Sequence, residues 1–137
     1  MSINTEILEK YILTLEKSYE AIKISEEGTI EYEMYRNSLV KSFELTLEQA
    51  GKLLKKRIAP FFATNKIVDS LNFKDIFRNA FNHSLINKEE VERWFIYRDN
   101  RNNTAHDYGK AFAEETLNLI NTFLVDVKNL KRIIEND

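Results

Sequence analysis

Three glycines and one proline in 137 residues leave this chain few ways to turn sharply. Sheets and hairpins need Gly, Pro or Asn-Gly pairs at most of their corners, so an all-helical chain is the natural inference. The spacing of apolar residues agrees. Over about residues 5–24 they fall at Ile7, Leu8, Tyr11, Ile12, Leu15, Tyr19 and Ile22, three or four apart as one face of a helix requires. Glu26-Glu27-Gly28-Thr29 is expected to turn, with Gly28 just past the helix end. A second helix is predicted through Tyr35, Leu39, Phe43, Ala50, Leu54 and Ile58, ending near Pro60. Lys52, Lys55, Lys56 and Arg57 in its last turns are read as cations complementing a helix C-terminus, with a phosphate-tracking groove as the alternative.

Ala63-Thr64-Asn65-Lys66 is expected to be an interhelical loop. Asn72 then opens a short helix with Phe73, Ile76, Phe77, Ala80 and Phe81 on its apolar face, and His83 in its polar exit is expected at the surface. Asn87-Lys88-Glu89-Glu90 reads as an N-cap and acidic first turn for a helix through Val91, Trp94, Phe95 and Tyr97, with Trp94 in the core. Ala113, Leu117, Ile120, Phe123, Leu124, Val127, Leu130, Ile133 and Ile134 mark a long last helix, and its wide apolar stripe points to a second buried surface and an oligomer. The expected architecture is an all-α, up-and-down antiparallel four-helix bundle with one short extra helix, forming a single domain over residues 1–137.

Composition narrows function by exclusion. No cysteine is present, which removes disulfides and thiolate chemistry and suits a reducing compartment; a cytoplasmic location is expected. No apolar run approaches the roughly 18 residues of a membrane span, and the N-terminus lacks the basic region of a signal peptide. A formal net charge of -2 does not advertise nucleic-acid binding, so any polyanion site must be a local patch. With two histidines and no Cys, zinc ligation is set aside and no metal or other cofactor is expected. Neither His83 nor His106 has Glu three residues earlier, so a di-metal carboxylate bundle fails too. HExxH, Walker A, GxGxxG and GxSxG motifs are all absent.

One stretch carries more chemistry than a turn needs: Arg98-Asp99-Asn100-Arg101-Asn102-Asn103-Thr104-Ala105-His106-Asp107-Tyr108-Gly109. Thr104 and Asp107 fit a capping box, which would place His106 in the first turn of the last helix. A helix N-terminus disfavours imidazolium, and neutral His beside Arg suits the handling of phosphate. The alternative is a helix-capping Arg101 and a half-buried polar His106. From Arg93 to Lys110 the cations Arg93, Arg98, Arg101 and Lys110 outnumber Asp99 and Asp107, making a local positive patch.

Arg101-Asn102-Asn103-Thr104-Ala105-His106 resembles the R-x4-H signature of HEPN domains, and with Tyr108 it reads R-x4-H-x-Y, as in HepT-like members. Phe43-Glu44-Leu45-Thr46-Leu47-Glu48-Gln49-Ala50, Lys52-Leu53-Leu54-Lys55 and Phe77-Arg78-Asn79-Ala80-Phe81 resemble the nucleotidyltransferase substrate-binding protein branch of that superfamily. Gly51 departs from the branch, which often has an aromatic residue after the Phe-Glu block; the position is expected to pack a neighbouring helix. The resemblance implies a homodimer with two R-x4-H motifs in one cleft, and metal-independent endoribonuclease activity. His106 would be base or acid, Arg101 the phosphate holder, Asn102 an orienting group, and Arg98 and Thr104 supporting contacts. It further implies a toxin–antitoxin system in which a nearby minimal nucleotidyltransferase adenylylates Tyr108 (AMPylation). The alternative is a non-catalytic subunit binding nucleotide or substrate for that partner; a plain helical interaction module is the third possibility. On a continuous helix, positions five apart point about 140° from each other. Arg101 and His106 therefore converge only across a break at Asn102-Asn103 or between protomers.

Overall fold

The structure, a computed structural model, describes residues 2–104 and 110–136, the side chains of 102–104 and 110–113 excepted. Its helices begin where short polar side chains can satisfy their first N–H groups. Helix α1 spans Glu6–Lys23, and α2 spans Ile30–Ile58 behind the N-cap Thr29, whose hydroxyl accepts from the Tyr32 N–H. A single 3-10 turn holding Pro60 closes α2. Helix α4, Phe73–Asn82, starts with a reciprocal box in which Asn72 and Asp75 each accept from the other's backbone N–H. Asn87 and Glu90 form the same arrangement in front of α5, Lys88–Thr104. Helix α6 spans Lys110–Glu135.

Two expectations need correction. Thr64 accepts from the Ile67 N–H and so caps a short helix α3, Asn65–Asp69, where a loop was expected. Five residues are too few to show apolar periodicity, which is why only the cap betrays it. Gly28, at φ +86°, lies four residues beyond the α1 C-cap Ile24, so it shapes the turn into Thr29 instead of ending α1. The capping box read at Thr104 and Asp107 lies outside the described residues, since α5 is described to the Thr104 backbone and α6 from Lys110.

Contacts at the helix ends fix the topology. The Thr5 hydroxyl donates to Glu135 at 2.7 Å, and Lys131 bridges Glu9 and Glu135, so α1 begins where α6 ends. Arg57 donates from Nε and Nη2 to the carbonyls of Ile133 and Asn136, each at 3.3 Å. Of the basic run, Arg57 thus complements the C-terminus of neighbouring α6, where that of α2 itself was expected, and Lys55 pairs with Asp69 of α3 at 3.1 Å. With α5 antiparallel to α6, the long helices α1, α2, α5 and α6 alternate in direction as an up-and-down bundle. The core gathers Leu8, Leu15, Leu39, Phe43, Leu54, Phe77, Trp94 and Phe123. Leu117, Leu124 and Ile133 of the α6 stripe pack partly buried against the same core. Among the described residues, no helix is long and apolar enough to cross a membrane.

Candidate functional site

Helix α5 buries Trp94 and Tyr97 on its inward face. Arg101 follows one turn after Tyr97 and two turns after Trp94, so the motif arginine continues the core-facing row. Its Nε is sealed from solvent, and its Nη2 donates to Glu48 Oε1 of α2 at 3.0 Å. That pair sits at the mouth: the side chains are 27% and 51% exposed. Asn100, beside Arg101, is buried and accepts from the buried Thr116 hydroxyl at 3.2 Å, which joins α5 to the start of α6.

Arg98 lies on a stack of three elements. A Cβ at Gly51 would meet Cδ2 and Cε2 of Phe73 at 3.0 Å, so the missing side chain lets the Phe73 ring of α4 rest on α2. The Arg98 guanidinium in turn sits 4.9 Å from the centre of that ring. The expectation that position 51 packs a neighbouring helix is met, and the neighbour is α4. One turn further out, Lys74 pairs with Asp99 at 2.9 Å.

A buried polar cluster went unread in the sequence. Asp126 of α6 accepts two bonds from Arg93, at 2.8 Å from Nε and 2.9 Å from Nη2, and a third from the Tyr97 hydroxyl at 2.6 Å. The hydrogen bond to Asp126 raises the Arg93 pKa further. Burial pushes the Tyr97 phenol well above its ordinary range, and the bond to Asp126 adds to the shift. Arg93 counts in the sequence as part of the positive patch; its charge is in fact spent on Asp126 between two helices. The readable signal was an Asp flanked by Val125 and Val127 at a position the α6 periodicity assigns to the core.

Arg101 and Arg98 are therefore the candidate residues whose side chains the structure places. Asn102 and Thr104 belong to the α5 backbone, their side chains lying outside the described residues, as do His106 and Tyr108 altogether. Helix α5 runs unbroken through Asn102 and Asn103 to Thr104, so the break expected between Arg101 and His106 does not fall there. Beside Asn100, a shallow groove of about 380 Å³ lies between α5 and α6, lined by Ile96, Asp99, Asn100, Glu115, Asn118 and Leu119. Its two carboxylates make it a poor channel for phosphate. At the far end of the fold His83 is exposed, as expected, and stacks on Phe61 with ring centres 4.1 Å apart.

A model of nucleotidyltransferase substrate binding protein-like chains matches residues 4–136. The chain belongs to that family. A Haemophilus influenzae protein named probable ribonuclease HepT is 25% identical over 130 residues, covering 90% of this chain and 86% of the relative. A solved structure, also from Haemophilus influenzae and described as the fold of a substrate binding domain of a nucleotidyltransferase, superposes with a TM-score of 0.78. That match covers 95% of this chain and 98% of the other at 23% identity, and it shows the fold. The blocks that carry the family resemblance meet in space: Glu48 from the α2 block holds Arg101 of the motif, and Phe77 from the α4 block stacks on Trp94 at 4.7 Å.

Proposed function

We propose that the chain is a HepT-like partner of a minimal nucleotidyltransferase in a two-component toxin–antitoxin system, and that its R-x4-H motif cleaves RNA without a metal ion. The observation that carries this reading is the state of Arg101. A guanidinium at the inward end of α5 whose Nη2 donates to one oxygen of a half-exposed carboxylate can give that contact up to a phosphate. Membership of the family and the likeness to a relative named as a ribonuclease support the assignment.

In the proposed reaction His106 takes the proton of a 2′-hydroxyl as that oxygen attacks phosphorus. The bond from phosphorus to the 5′-oxygen breaks, and the leaving oxygen receives a proton from an acid, the partner motif's histidine in the dimer reading. Arg101 stabilises the charge gathering on the phosphoryl oxygens, Asn102 orients it, and Arg98 and Thr104 support the neighbouring phosphate. The products are a 2′,3′-cyclic phosphate and a 5′-hydroxyl. Because α5 continues to Thr104, Arg101 and His106 meet either through residues 105–109 or across a homodimer, whose C2 axis would bring two motifs into one cleft. Tyr108 is proposed as the acceptor of AMP from the partner, since an added phosphate beside Arg101 would close the cleft to RNA.

A second reading is favoured by the charge balance. Asp126 absorbs Arg93, and Glu48 pairs with Arg101, so the patch is less cationic than its sequence suggests. A subunit that binds a nucleotide for its partner without cutting RNA would need no more. One experiment separates the two. Wild type and His106→Ala are incubated with mixed RNAs in EDTA, and product ends are analysed. Cyclic phosphate ends from wild type alone support the ribonuclease; equal inertness, with ATP still bound, supports the binding subunit. Incubation with the nucleotidyltransferase, ATP and magnesium should add AMP to wild type but not to Tyr108→Phe, read by intact mass. Light scattering at micromolar concentration should give a dimer, and a monomer would remove the shared cleft.

A further inference from the structure

We propose that Glu48 is an internal competitor for the RNA phosphate: a carboxylate of α2 seated where the motif arginine would take its substrate. The proposal rests on the ribonuclease reading of Arg101. Its basis is the geometry of one contact. Arg101 Nη2 donates to Glu48 Oε1 at 3.0 Å, a single bond where a phosphate or an in-plane carboxylate would accept two. The second basis is asymmetry of burial. The arginine is anchored by its place on the inward face of α5, with Nε out of reach of solvent, whereas Glu48 projects from α2 with half of its side chain exposed. If one partner is to leave, it is the glutamate, which can swing into water at little cost.

The contrast with Arg93 shows that the contact is not a general device for holding α5. Arg93 meets a 3%-exposed carboxylate through two bonds, in the geometry of a permanent tie between helices. Glu48 meets Arg101 through one bond at the protein surface. A carboxylate there lowers the field that an approaching phosphate feels and occupies one of the donors it needs. The glutamate would therefore weaken the resting affinity for RNA and leave the chemistry of bound RNA untouched.

Glu48→Gln keeps the shape and removes the charge. Binding of an all-2′-O-methyl oligoribonucleotide, which cannot be cleaved, should tighten by about two- to fivefold, the scale of a partly exposed ion pair. Cleavage should show a lower KM by the same factor with kcat unchanged. Glu20→Gln, which removes the same charge from the exposed face of α1, is the control for the general field and should change neither. Tightening equal to that of the control, or a loss of kcat with KM unchanged, would overturn the competitor role; the latter would make Glu48 a positioning residue instead. The binding arm needs no turnover. A wild type that binds the oligoribonucleotide and never cleaves RNA defeats the ribonuclease reading alone, and the effect of Glu48→Gln on binding still decides this one.

Discussion

Two arginines eight residues apart on α5 live in opposite worlds. Arg93 grips Asp126 with two nitrogens, and Tyr97 adds a third bond to the same carboxylate, 3% exposed. Arg101 touches Glu48 with one nitrogen, and that carboxylate is 51% exposed. Burial decides what each contact is for. An ion pair in the interior resists separation because parting leaves an unsolvated charge, whereas a pair at the surface exchanges partners easily. The lower half of α5 is thus tied to α6 by a buried ion pair, and the Arg101 pair of the upper half lies nearer the surface.

The sharpest test of that contrast is to delete each arginine in turn. On the proposed ribonuclease reading, Arg101→Ala should cut RNA cleavage on the order of a hundredfold or more, the scale of losing a donor to a developing charge. Its stability should change by no more than about 1 kcal/mol. Arg93→Ala should do the reverse, retaining that activity at temperatures where it stays folded and losing about 3–5 kcal/mol in urea unfolding, because it strands the buried Asp126 carboxylate. Similar stability losses from both would erase the distinction.

The clamp itself comes next in size. Asp126→Ala leaves the Tyr97 hydroxyl without its acceptor and Arg93 without its partner. Since Arg93 is 37% exposed and regains water, a loss of about 2–4 kcal/mol is expected. Tyr97→Phe, which leaves the ion pair in place, should cost about 1–2 kcal/mol. A Tyr97→Phe loss as large as that of Asp126→Ala would mean that the ring, and not the shared carboxylate, holds the two helices.

These clamps also mark the limit of what the sequence discloses. The four long helices were legible because apolar spacing at three and four residues reports which face is buried, and Trp94 and Phe123 lie in the core as that spacing requires. Caps at Asn72 and Asn87 were legible because the mechanism is local. Helix α3 was not, since one turn has no period. Partners were the hard part. Nothing near Arg93 in the chain announces Asp126, 33 residues away, and charge counting placed Arg93 with Arg101 although the two share no environment. At the candidate site, Arg101 and Arg98 could be named from the motif and its surroundings. That Glu48 and Phe73 hold them is a property of how α2 and α4 pack, which spacing alone does not encode.

A smaller effect should follow from crowding the seat of Arg98. Gly51→Phe would drive a ring into the place of Phe73, with a loss of about 1–3 kcal/mol as for overpacking elsewhere. Phe73→Ala in the same chain should recover part of it, because the new ring takes the vacated seat. A double-mutant cycle gives the coupling directly. Additive losses would show that Gly51 and Phe73 do not share the space, and that Arg98 lacks the support of this stack.

The smallest effect lies at the opposite end of the bundle, where a third ion cluster stands between the two regimes. Glu135 accepts from the Thr5 hydroxyl and from Lys131, and Lys131 also meets Glu9. The hydroxyl of Thr5, then Lys131, hold the Glu135 carboxyl below the usual carboxylate range. Its bond with Glu9, then that with Glu135, raises Lys131 above the ordinary lysine value. A carboxylate with a depressed folded pKa stabilises the fold above its unfolded value, about 4.3, and that contribution is lost as pH falls through the lower folded value. A lysine with a raised folded pKa stabilises below about 10.4 and loses that contribution as pH rises beyond it. Stability should therefore be flat with respect to this cluster through neutral pH and decline at both extremes. Glu135→Gln should flatten the acid limb, measured as the slope of unfolding midpoint against pH below about 4.3, and leave the neutral plateau almost unmoved, because the groups are largely exposed. An acid limb identical to wild type would show that the tie between the two chain ends has no electrostatic share in stability, and would leave the buried Asp126 as the ion pair that α6 depends on.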